Sequence, residues 1–184
     1  MRRPPHWGRL ALWLAPPLAV AAVALWAFTG KGDDPEVEFR VDGAAVATVS
    51  LGEAIQRAEA EVGYELVRPR DLPGGYRPEY VDAVWVDDEL RSARDRRVVI
   101  GYADTKGRET PLTIAQGQQP VGPTVRLVQF DTGIDGVTID WAWSDAHTQY
   151  WTVEGDPYFF VSFWGPNPPP QDEVARLFRS LYGQ

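Results

Sequence analysis

The chain has 184 residues, 44% hydrophobic and 12% aromatic, with no cysteine. That length supports one ordinary domain with its own core, and the missing thiols exclude disulfides, thiolate metal sites and cysteine nucleophiles. The formal charge is -8, and three arginines fall in the first nine residues, so the remainder is more acidic still. Such a surface repels nucleic-acid backbones and anionic lipid, and no nucleic acid is expected as a partner.

The first element is apolar. Leu10 to Phe28 pass nineteen residues without a charge, enough for a helix to cross about 30 Å of hydrocarbon. Arg2, Arg3 and Arg9 precede the run, and Asp33, Asp34, Glu36 and Glu38 follow it. The positive-inside rule then predicts a cytoplasmic amino terminus and an exported remainder. Trp13 and Trp26 lie near opposite ends of the run, and Pro16 and Pro17 introduce a kink. A cleaved signal peptide is the rival, but its apolar region is usually shorter. The expected organisation is a cytoplasmic stub at 1–9, a single-pass membrane anchor at 10–28, a linker at 29–35 and an extracytoplasmic domain at 36–184.

The exported part opens with "VEFRV", whose Val37, Phe39 and Val41 alternate as in a strand. Asp42-Gly43 offers a hairpin turn into "AAVATV". A helix follows. Ser50 and Glu53 form a capping-box pattern, Leu51, Ile55, Ala58 and Val62 share one face, and Gly63 ends it. Leu72-Pro73-Gly74-Gly75 reads as a type II turn with Gly74 at the position of positive φ. Tyr76 and Tyr80 are expected to pin this corner to the core. Strands are predicted at 79–86, 97–102, 112–116, 125–130, 137–143, 149–153 and 158–164, separated by turn chemistry such as "DTKG", "DTGIDG" and "EGDP". The charge-dense "DDELRSARDRR", Asp87 to Arg97, reads as a solvated loop or short helix. A second helix follows the prolines of "PNPPP", with Val174, Leu177, Phe178 and Leu181 as its apolar stripe. The predicted class is α+β: a twisted antiparallel sheet with two helices packed on one face, preceded by a single transmembrane helix.

In their order these pieces resemble a poorly characterised bacterial extracytoplasmic domain of unknown function, found at the carboxyl end of anti-sigma-factor-like membrane proteins. The resemblance rests on the "LP-x-GY" corner at Leu72, Pro73, Gly75 and Tyr76, then "VVIGYAD", "LTIAQ" at Leu112 to Gln116, "YFFVSF", and "RSL" at Arg179 to Leu181. It implies an exported sensory or binding half and no catalytic residues. Nine residues before the anchor are too few for a domain that sequesters a sigma factor, so direct anti-sigma activity is not expected.

The chemical motifs are weighed against plainer roles. Asp131-Thr132-Gly133 resembles an aspartic-protease loop, but a single copy requires a symmetric dimer sharing one proton, and a polar turn explains it. A dimeric aspartic protease at Asp131 is the remote alternative. Asp131, Asp135 and Asp140 lack the spacing of a calcium loop. Ser144, Asp145 and His147 are sequence neighbours, whereas a triad is assembled from distant parts of a fold. No catalytic residue, cofactor or metal is expected. The aromatic wealth of the last strands gives the candidate site: Trp141, Trp143, Tyr150, Trp151, Tyr158, Phe160 and Trp164 on an uncovered sheet face. The expected function is a noncatalytic envelope sensor or binding domain, with an envelope protein or a lipid or peptide ligand as partner. A carrier holding an acyl chain on that face is the alternative.

Overall fold

The computed structural model describes residues 34–88, 93–107, 110–120 and 128–184. The anchor at Leu10–Phe28 lies outside them. Among the described residues no helix is long and apolar enough to cross a membrane.

Nine strands form one mixed sheet. They are β1 (Glu36–Val41), β2 (Ala44–Ser50), β3 (Tyr76–Asp88), β4 (Ala93–Asp104), β5 (Leu112–Gly117), β6 (Val128–Phe130), β7 (Thr138–Trp143), β8 (His147–Glu154) and β9 (Tyr158–Trp164). The order across the sheet is β2-β1-β3-β4-β5-β9-β8-β7-β6. Helix α1 (Leu51–Val62) leaves β2, and helix α2 (Gln171–Leu181) closes the chain.

The α+β class holds, but the sheet is not wholly antiparallel as expected: β1 and β3 pair in parallel, Phe39 opposite Val81. The hairpin already returns the chain to the start of β1, with Ser50 opposite Glu36. The connection through α1 then crosses to the other edge of β1, so β3 enters there in the same direction as β1.

Local chemistry explains each element. Asp42 (φ 51) and Gly43 (φ 79) both take positive φ, the signature of a two-residue primed turn. Ser50 Oγ accepts from the Glu53 N–H at 3.3 Å, and Gly63 ends α1 in the left-handed region, donating to Glu59 O. Ala54, Ile55 and Ala58 are buried. In α2 the stripe Val174, Leu177, Phe178 and Leu181 is fully buried. Burying each large side chain of this kind stabilises by about 1.5–3 kcal/mol.

Register assigns the two faces, because directly paired residues point the same way. One row runs Phe39, Val81, Ile100, Ile114, Val161, Tyr150, Trp141, Val128. Residues of this face meet both helices: Arg57 of α1 lies over the Phe39 ring, and Phe178 of α2 lies 6.1 Å from the Tyr150 ring. Both helices therefore cover one face, and the core lies between them and the sheet.

The hairpin of β3 and β4 is longer than predicted. The ladder continues to Asp88 opposite Ala93, so the described residues of the charged stretch, 87–88 and 93–97, belong to two strands; 89–92 lie outside the described residues. A cross-strand pair and an ion pair along β4 sustain the hairpin. Trp85 faces Arg96, whose guanidinium lies 5.0 Å from the ring centroid, and on β4 itself Arg97 pairs with Asp95 at 3.1 Å.

The proline-glycine corner also differs from expectation. Positive φ falls on Gly75 (φ 96), one residue beyond Gly74. Gly75 O accepts from both the backbone N and Oγ1 of Thr105, at 2.7 and 2.9 Å. This clasp to the β4–β5 connection fixes which glycine turns. Tyr76 pins the corner as expected, donating to Thr110 O at 2.9 Å with its ring 6.2 Å from Phe163. Tyr80 does not join it. Its ring lies on the opposite face, across Gly101 and under the Arg40 guanidinium.

Candidate functional site

Strand alternation and register divide the seven predicted aromatics between two faces rather than gathering them on one. Trp141, Trp143 and Tyr150 stand on the helix-covered face. Trp151, Tyr158, Phe160 and Trp164 stand on the other, with Asp140 opposite Trp151 and Trp151 opposite Phe160. Trp151 is buried there, Tyr158 and Phe160 are half-buried, and Trp164 is exposed beside the His147 ring at 5.3 Å.

The first trio forms the candidate site. Tyr150 is its root. Its ring meets Phe130 edge-on at 4.9 Å and Phe163 at 6.2 Å. Burial pushes the Tyr150 hydroxyl up to a pKa of about 12. Trp141 stacks on Tyr150 at 5.8 Å with planes inclined by 10°, and Trp143 stacks on Trp141 at 4.6 Å and 26°. The ladder thus leads from the core to solvent, ending in an indole that is 63% exposed.

The ladder lines a cleft of about 630 Å³. Its other wall is the segment before α2, Gly165, Pro166, Pro168 and Pro169, together with Gln171 at the start of the helix. The sequence marked these prolines only as a helix start, and their role as a wall was missed. The signal was their density, since each proline lacks the N–H that a ladder uses and a run of them disfavours a strand. Here α2 packs on the sheet through its buried stripe, and the prolines before it face the indoles. Ser144, Asp145 and Thr148 complete the lining.

The Ser144–His147 turn shapes the rim. Ser144 Oγ accepts from the Ala146 and His147 N–H groups at 3.2 and 3.3 Å and lies 3.3 Å from His147 Nδ1. The hydroxyl closes its own turn, the usual work of serine there. Asp131 behaves similarly: its Oδ1 accepts from the Gly133 N–H at 2.9 Å within an exposed turn. Asp140 is buried while Asp131 and Asp135 are exposed. Among the described residues no group of three or more His, Asp or Glu stands within metal-holding range.

No family model matches this chain, and neither a curated protein nor a solved structure matches it.

Proposed function

We propose that this chain is a noncatalytic binding or sensing module of the cell envelope, held at the membrane by Leu10–Phe28. Its working surface is the cleft at Trp141, Trp143 and Tyr150. The observation that carries this reading is the exposed end of the ladder. Trp143 leaves 63% of its surface to solvent at the mouth of a cleft walled by prolines, and pockets of this size with aromatic walls and few polar groups hold ligands. The uncharged run, the acidic flank after it and the motif order shared with extracytoplasmic domains of anti-sigma-factor-like proteins support an envelope setting.

The acyl-carrier alternative would hold its chain on the sheet face opposite the helices, where Trp151 is buried and Tyr158 and Phe160 are half-buried. The cleft lies instead beside Trp141, Trp143 and Tyr150 on the helix side, which favours the binding-module reading.

The test uses the indole N–H resonances of the full chain in amphipol, with Trp143 assigned by W143F. Organic and aqueous extracts of bacterial envelopes are added in turn. A shift of the Trp143 signal without a shift of Trp85 supports the reading. Extracts that move neither signal overturn it.

A further inference from the structure

We infer that the cleft takes a quaternary ammonium group, as carried by choline-type headgroups; this deepens the binding reading above and rests on it. Three observations carry it. First, Trp143 has one face against Trp141 and is otherwise open, and the face of an indole attracts cations more strongly than other aromatic faces do. Second, Asp145 lines the same cleft, and no Lys, Arg or His does. Among the described residues Asp145 makes no ion pair, so its charge is uncompensated there. The amino end of α2 adjoins the cleft with its partial positive charge, which Asp172 and Glu173 in the first turn offset.

Third, the remaining lining distinguishes between kinds of cation. A guanidinium carries five N–H donors and an ammonium three, and each one left unpaired on burial is costly. The wall opposite the indoles is largely proline, and Ser144 Oγ already accepts two backbone N–H groups. A quaternary ammonium brings the charge without any N–H. Its methyl groups pack on indole and pyrrolidine rings while the charge faces Trp143 and Asp145.

The experiment titrates full-length chain in amphipol with choline, with its neutral isostere dimethylbutanol and with arginine methyl ester, reading tryptophan fluorescence. Choline is expected to give a saturable change. Dimethylbutanol and arginine methyl ester should bind about tenfold more weakly or worse. W143A should abolish the change, and D145N should weaken choline about fivefold, less so at high salt. Thr148 and the turn remain in D145N, and far-UV circular dichroism checks the fold. Dimethylbutanol or the arginine ester binding as well as choline overturns the inference while leaving a ligand cleft standing. A W143A response equal to wild type overturns it at this site. A Trp143 signal unmoved by every envelope extract removes the binding reading itself.

Discussion

Trp141 and Trp143 stack at 4.6 Å although they are two residues apart on one strand. Same-face neighbours on a strand are roughly 6.6 Å apart at the backbone, so the two indoles lean together. Trp141 is half-buried between Tyr150 and Trp143, whereas Trp143 is supported on one side only. Their truncations should therefore differ. W141A is expected to cost about 2–3 kcal/mol, and W143A about 1 kcal/mol or less. Urea unfolding of both variants checks this, and equal costs would contradict an exposed ladder end.

Gly75, not Gly74, carries the positive φ of the Pro73 corner, and the Lys106 side chain packs over it. G75A should lose about 1–2 kcal/mol from backbone strain. A Cβ on residue 74 meets chiefly the mobile Lys106 ammonium, so G74A should lose clearly less. Paired thermal melts decide it, and the reverse order would return the turn to Gly74.

The Tyr80 ring lies across Gly101, in the space where a Cβ would stand, and Arg40 covers its other side at 4.2 Å. An aromatic ring over a strand glycine fills the gap left by the missing side chain. G101A should destabilise by about 1–3 kcal/mol through overpacking, and most of that cost should vanish in a Y80A background. A double-mutant cycle measures the coupling; additive effects would contradict the contact.

Asp82 gives a pH signature. Burial raises its pKa above 3.8; the Gly43 N–H and Arg40 oppose the shift and Asp42 adds to it. Gly43 N donates to both carboxylate oxygens, at 3.1 and 3.3 Å. With the folded value above the unfolded one, the folded chain holds the proton more tightly. The group's contribution is then fullest below 3.8 and is lost as pH rises to the raised value. D82N removes this titration. Relative to wild type, D82N should gain stability between pH 3 and pH 7, read as the difference in urea midpoint. A relative loss would reverse the assignment.

Local grammar was legible in the sequence, and long-range pairing was not. Ser50, Gly63 and the stripe of α2 act within a few residues of themselves, and each was placed correctly. The parallel β1–β3 pair depends on the connection through α1 crossing to the other edge of β1, which no local pattern states. The aromatic site shows the same division. Alternation put Trp141 with Trp143, and Tyr158 with Phe160 and Trp164. Which of these sets shares a face depends on Trp141 pairing with Tyr150 and Trp151 with Phe160, and that phase comes from turn geometry. Gly75 was missed for a related reason: the Thr105 clasp that selects it lies thirty residues away.

The most direct measurement of the central claim is native mass spectrometry of the full chain released from bacterial membranes, wild type beside W143A. The cleft reading predicts a stoichiometric adduct on the wild type that W143A loses while its fold persists. A bare mass for both, or an adduct that W143A retains in full, would contradict it.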